Sequence, residues 1–380
     1  MHPIHCNLRE KVAVFAEKFI APRTDLPFTE SFPYDIWKKL GEEQLLGIGI
    51  DAAYGGLGMG YGAISEAGYL MVRFGHNLGV VLSLMLQNLA TKFLVSGFGS
   101  DFQKEEFLPG MAAGVTTVSF AVSEPGAGAH PKLLRTNART VGEGYVLSGS
   151  KTYLTNGPIA DLYIVIAETK IENGRKRYSA FLVPRNTSGL TVTKAMTLEA
   201  LHPSPHGGIS LSDCFVASSS LLGNPHSAYE DMVLPFRGVE DVMMMGSISG
   251  GVHCQLAAVI RLMRGMAMIP EEQKQLSARM DALVRLVHQI ASDSAKTFDL
   301  ENQKEDMSAS IIGFRAVLSQ IQSIFGQLVQ GLDMGNETGI NAMTRDLLFS
   351  GKIAAGAAKT REIRYGEDIL QRKNAHEQPA

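Results

Sequence analysis

The sequence predicts an α+β protein built as an N-terminal helical bundle, a small central antiparallel β-domain and a C-terminal helical bundle. Two changes of hydrophobic period predict it. Apolar residues recur at helical spacing to about residue 117 and again from about residue 226. Between 118 and 216 they form short runs rich in β-branched and aromatic residues, separated by turn residues. The implied domains are 1–117, 118–225 and 226–380.

In the first block, Leu8, Val12, Phe15 and Phe19 fall on one helical face, with Pro22 as a stop. Ile36, Leu40 and Leu45 begin a second pattern that runs into the glycine-rich turn Tyr54-Gly55-Gly56-Leu57-Gly58. Helical patterns follow over 61–74 and 78–96, and a shorter one after Asp101, read as its N-cap with Glu105 near the first turn. The stretch Leu78–Val95 is the most membrane-like. It contains Gln87, Asn88 and Lys92, which predicts a buried core helix and no membrane span.

In the second block the strand candidates are Tyr145-Val146-Leu147, Leu162–Ile166, Phe181-Leu182-Val183 and Leu190-Thr191-Val192. Gly142-Glu143-Gly144 and Glu172-Asn173-Gly174 read as hairpin turns between them, so a small barrel or sandwich is expected. In the third block, Leu276, Met280, Leu283, Val287 and Ile290 make one stripe. Ile311, Phe314, Leu318, Ile321, Phe325 and Leu328 make another, with Gly331 and Gly335 as caps. The polar tail after Leu370 is expected to fray.

Composition narrows the function classes. The chain has 380 residues, 45% hydrophobic and 19% charged, which suits a globular protein. A net charge of −3 without a long basic run gives no reason to expect a nucleic-acid partner. Cys6, Cys214 and Cys254 are far apart and lack metal-ligand spacing, which argues against a disulfide framework. With no signal-peptide pattern at the N-terminus, a cytoplasmic location is expected.

Motifs sharpen the reading. Phe120-Ala121-Val122-Ser123-Glu124-Pro125-Gly126-Ala127-Gly128 is similar to the flavin-binding segment of the acyl-CoA dehydrogenase family. About thirty residues on, Lys151-Thr152-Tyr153-Leu154-Thr155-Asn156-Gly157 resembles that family's second flavin segment, at the same separation. Leu46–Ile50 and Tyr54–Gly58 match its N-terminal domain, and Leu221-Leu222-Gly223 sits where the family closes its β-domain. The resemblance covers roughly residues 8–225 well and the remainder weakly.

That resemblance implies FAD as cofactor, with Phe120, Val122, Ser123, Ala129, Tyr153, Leu154 and Thr155 binding it. The residue chemistry agrees. A flavin needs polar partners along its ring edge, and the hydroxyls of Ser123 and Thr155 and the backbone N–H groups of 120–124 can provide them. Tyr153 offers an aromatic face, and Gly126 and Gly128 allow a tight turn and close approach.

Three departures from the family stand out. After Gly128 the family usually carries a hydroxyl residue and then an acid; here stand Ala129 and His130. The histidine is either a cationic donor near phosphate or an exposed loop residue without a role. The family's Arg and Phe-Gly, which help hold the pyrophosphate, often across a subunit boundary, are replaced by a region where only Arg264 could substitute.

The third departure concerns the base. In many members a glutamate before the final helix takes the α-proton of the acyl thioester; here that loop has no counterpart, and Arg364–Asp368 lies near the last predicted turn. A minority carry the base on the first helix of the C-terminal domain. Aligning Gly250 and Leu256 with that helix places Glu240 there, whereas anchoring on Gly246 shifts the register by one. Asp241 stands where the family commonly has arginine. The alternative for Glu240 is a solvated acid near a helix start. Glu230 and Asp231 read as first-turn acids, and Met243-Met244-Met245 as core or a flexible pocket lining. His202 and His206 read as a loop beside the site, without the third ligand a metal needs.

The resemblance thus implies α,β-desaturation of an acyl-CoA or other acyl thioester, an acceptor such as an electron-transfer flavoprotein, and a homodimer or homotetramer. The departures keep open a catalytically inactive relative acting as a binding or assembly partner. A flavin oxidase or monooxygenase on the same scaffold is a third reading.

Overall fold

A computed structural model describes residues 3–300, 307–330, 332, 337–353 and 355–371. The expected caps Gly331 and Gly335 and the tail beyond residue 371 lie outside the described residues, as does the side chain of Cys6. Six helices come first: α1 (Pro3–Phe15), α2 (Tyr34–Glu42), α3 (Tyr61–Gly75), α4 (Leu78–Leu89), α5 (Ser96–Phe98) and α6 (Asp101–Ala112). A π-helical stretch, Ala90–Val95, joins α4 to α5. The predicted stripe of α1 is buried at Leu8, Val12 and Phe15, and Phe19 packs on Phe15 at 5.1 Å.

The α6 cap lies one residue before the expected one. Ser100 accepts a hydrogen bond from the Gln103 amide N–H at 3.2 Å, and the Gln103 side chain accepts from the Ser100 N–H at 3.0 Å. This capping box satisfies two helix-end donors at once, so Asp101 becomes the first helical residue.

Eight strands follow: β1 (Val118–Ala121), β2 (Asn137–Val141), β3 (Gly144–Thr155), β4 (Leu162–Glu172), β5 (Arg175–Pro184), β6 (Leu190–Val192), β7 (His206–Ala217) and β8 (Leu221–Leu222). They run in the order β6-β7-β3-β2-β4-β5-β8, with β1 beside β4. The β4–β5 hairpin turns at Asn173 (φ 49°) and Gly174 (φ 74°), both left-handed as a tight hairpin requires. The sheet is not wholly antiparallel: β1 pairs with β4 in parallel, because the chain crosses back through the β2–β3 hairpin before laying down β4.

Both faces of β4 are covered, which explains its unbroken apolar run. Leu162, Ile164 and Ile166 enter the helical core, while Tyr163, Val165 and Ala167 enter the core of the sheet domain with Phe181 and Ile209.

The remaining helices are α7 (Leu234–Arg264), α8 (Glu271–Leu300), α9 (Ser308–Val329), α10 (Thr338–Lys352) and α11 (Ala355–Gln371). A π-helical turn, Tyr229–Val233, leads into α7 and carries Glu230 and Asp231. Helix α7 lies close along α3: a Cβ on Gly246 would stand 2.2 Å from the Ser65 carbonyl oxygen, and one on Gly250 would stand 2.5 Å from that of Tyr69. Two stretches, Leu78–Phe98 and Tyr229–Arg264, are long and apolar enough to cross a membrane. Their most apolar windows are 89% and 72% buried within the protein.

Candidate active site

The first flavin-like segment leaves the end of β1 and folds into a closed turn. The Glu124 N–H donates to the Gly128 carbonyl at 2.9 Å, and Gly126 (φ 72°) and Gly128 (φ 55°) take the left-handed backbone this needs. The Glu124 side chain turns inward, accepting from the N–H groups of Arg135 (2.6 Å) and Thr136 (2.9 Å) and from Lys151 Nζ (2.9 Å). Lys151 also donates to the Val122 carbonyl at 3.0 Å, and the Thr152 N–H donates to the Ser123 carbonyl at 2.8 Å. The two motifs are therefore bonded to each other.

The second segment is the end of β3. Its pairing with β7 slips between Lys151 and Leu154, and Tyr153 sits in the slip with φ 57°. A left-handed bulky residue is uncommon, and this one is 61% exposed. Next to it, Thr155 Oγ1 lies 3.1 Å from His206 Nε2, the first residue of β7. His206 is thus a strand residue and not part of a loop.

These residues face α7 and α4 across a cavity of about 150 Å³. From α7 and the turn before it come Val233, Phe236, Arg237 and Glu240, at spacings of three, four and seven that place them on one helix face. Leu86 and Ala90, four apart, form the wall beside them. The Phe236 ring meets Phe120 edge-on at 4.9 Å. All seven expected cofactor residues and Glu240 line this one cavity, with Val118.

Glu240 is half-buried and not a solvated helix-start acid. Burial, reinforced by the neighbouring charge of Asp241, raises its carboxyl pKa from 4.5 to about 7; Arg237 opposes the shift and does not cancel it. Asp241, in the place of the family's arginine, pairs with Arg361 of α11. The charge pattern is reversed there, with the cation supplied by the last helix.

Other expected residues lie elsewhere. His130 is exposed, its Nδ1 accepting from the Lys132 N–H at 3.3 Å, and it does not line the cavity. Arg264 ends α7; at about 1.5 Å per residue it stands about 36 Å from Glu240 along the helix. In the same chain it therefore cannot reach the cavity. Arg364–Asp368 is helical, within α11, and Glu367 and Asp368 are exposed. Met243 and Met245 are buried core, and among the described residues no cluster of three potential metal ligands occurs. Sequence reading missed Arg237, whose signal was its three-residue spacing from Glu240. It also missed the Lys151–Glu124 pair, although both residues stood within the quoted motifs.

Profiles of two domains match the chain: the acyl-CoA dehydrogenase N-terminal domain over residues 3–115 and the middle domain over 119–214, together more than half of it. An acyl-CoA dehydrogenase of Bacillus subtilis is 35% identical over 217 residues, covering 57% of this chain and 57% of that protein. The chain thus spans little more than half the length of that relative. Butyryl-CoA dehydrogenase from Megasphaera elsdenii shares the fold at a TM-score of 0.85 and 20% identity, over 98% of this chain and 99% of that one. The FAD complex of PigA does so at 0.86 and 20%, with the same coverage. The chain belongs to the acyl-CoA dehydrogenase family.

Proposed function

We propose that the protein is an FAD-dependent oxidoreductase that desaturates the α,β bond of an acyl-CoA or related acyl thioester. One observation carries this reading: the Glu240 carboxyl opens onto the same cavity as the residues of both flavin-like segments. The donor set fits a flavin. The Ser123 hydroxyl lines the cavity without a protein partner among the described residues, and Tyr153 holds an exposed aromatic face beside it. FAD, when bound, supplies the hydride acceptor.

The chain's own residues supply the remainder. A thioester carbonyl acidifies the adjacent C–H, and Glu240, with a pKa near neutrality, is matched to accept that proton. Phe120 and Phe236 form an apolar wall of the cavity onto which Glu240 opens. The ion pair with Arg361 offsets part of the charge of Asp241, the second carboxylate beside Glu240. The exposed apolar side chains of Ile363, Ile369 and Leu370 on α11 support the homo-oligomer expected of the family.

The test is an absorbance spectrum after loading with FAD and desalting, then anaerobic addition of acyl-CoAs. Retained flavin bands that bleach with an acyl-CoA, and fail to bleach in Glu240→Gln, are the expected result. A protein that cannot keep FAD overturns the flavin reading. Retained FAD that no acyl-CoA bleaches would favour the inactive relative.

A further inference from the structure

His206 Nδ1 lies 3.1 Å from the Ser204 carbonyl oxygen, which can only accept, so this nitrogen carries the ring hydrogen. In the neutral imidazole Nε2 is then an acceptor. It lies 3.1 Å from Thr155 Oγ1, so the threonine gives its single hydroxyl hydrogen to the histidine. Thr155 lines the cavity, and with its hydrogen given to His206 its hydroxyl oxygen has only lone pairs left to offer.

The surroundings hold this arrangement in place. His206 is 9% exposed, and burial moves its imidazole below the ordinary pKa, opposed only by the Ser204 carbonyl. No charged side chain contributes to that shift. The nearest ionised group on β3, Lys151, is turned to Glu124, and Glu240 stands on α7. The other neighbours are neutral: the Met196 N–H donates to the His206 carbonyl, and Ser204 pairs with Ser83 of α4.

We propose that His206 is a positioning residue that fixes the Thr155 hydroxyl as a hydrogen-bond acceptor toward the cavity and thereby favours the reduced form of a flavin bound there. This rests on the flavin reading above. Two-electron reduction gives a flavin ring an additional N–H, and an acceptor-only hydroxyl prefers that donor to the acceptor nitrogen it replaces.

Two measurements test it. In the cofactor-free protein, ¹⁵N NMR should show the Nδ1–H tautomer for the ring whose signals vanish in His206→Gln; an Nε2–H tautomer overturns the proposal. With FAD bound, the midpoint potential is compared among the parent, His206→Gln and His206→Leu. Glutamine restores an acceptor for Thr155 and leucine does not. At a fixed poise, leucine should lower the reduced-to-oxidised ratio by roughly fivefold, the worth of one neutral hydrogen bond, and glutamine should keep the parent value. Equal shifts in both variants, or none in either, overturn it. A protein that holds no FAD overturns the flavin reading instead, and the NMR measurement still decides the hydrogen-bond assignment.

Discussion

Lys151 Nζ lies 2.9 Å from Glu124 Oε1, and this one ion pair fastens the second flavin-like segment to the first. Both side chains are buried, at 0% and 6% exposure. Burial drives the Lys151 pKa down from 10.5 to about 8. For Glu124 burial acts upward, but the charge of Lys151 and the hydrogen bonds from Lys151, Thr136 and Arg135 outweigh it and hold the carboxyl below its ordinary value. Glu124→Gln is expected to cost roughly 3–5 kcal/mol by urea unfolding, because it strands a buried ammonium. Adding Lys151→Met should recover much of that loss.

The pair also sets a pH signature. The stability due to Glu124 is present above its unfolded pKa and is lost as pH falls through its depressed folded value. Lys151 binds its proton less tightly folded than unfolded, so its effect on stability improves as pH rises from about 8 to 10.5. Unfolding free energies measured across both ranges should show the two slopes, and both should vanish in the double variant.

At Tyr153 the backbone and the ring pull in opposite directions. Its φ of 57° is strained for a large residue, and Tyr153→Gly removes that strain, worth about 1 kcal/mol, while adding unfolded-chain freedom. The apoprotein melting temperature should hold or rise. FAD should dissociate about tenfold more readily for want of the aromatic face. Equal FAD affinity in the two proteins would show that the ring does not meet the cofactor.

Much of this site was legible because its chemistry is written in contiguous runs. Phe120–Gly128 and Lys151–Gly157 each carry their cavity residues within a few positions, so local motifs located them. Helix α7 was harder to read. The register of Glu240 turned on whether Gly246 or Gly250 anchored the alignment, and both glycines pack on α3. Long-range partners were not legible at all: Arg361 meets Asp241 across 120 positions of chain, and His206 meets Thr155 through strand register. The helix cap was misread for a different reason, since Ser100 and Asp101 are both good capping residues and only the return bond from Gln103 distinguishes them.

The raised pKa of Glu240 makes two predictions. If it is the base, kcat/KM should rise as pH increases through about 7 and then level, since the carboxylate is the active form. Its proton is bound more tightly in the folded state, so its contribution to stability is full below about pH 4.5 and declines up to about 7. Glu240→Gln should therefore stabilise the protein at pH 8 by on the order of 3 kcal/mol and leave it nearly unchanged at pH 4.5. Equal effects at both pH values would contradict the assignment.

Arg361 is the distant lever on that titration. Arg361→Ala leaves Asp241 uncompensated beside Glu240, so the acidic limb of the pH–rate profile should move upward by a few tenths of a unit. Arg361→Lys should restore it in large part. A profile that stays in place would mean that the pair only pins α11 to α7.

Gln87 has a consequence of another kind. From within α4 its amide donates to the Thr116 carbonyl at 2.9 Å and accepts from the Val118 N–H at 2.9 Å, behaving as a substitute strand at the start of β1. Asn88 similarly bonds Leu45 and Ile48, and Lys92 bonds the Met59 carbonyl. Of the polar residues that argue against a membrane helix, Gln87 is thus the fastener between the helical and sheet layers, while Asn88 and Lys92 fasten the 45–59 segment within the helical one. Opening either layer alone would strand the Gln87 amide and the backbone groups of Thr116 and Val118 that it bonds. The helical and sheet layers should therefore melt in one cooperative transition, and Gln87→Leu should split it into two.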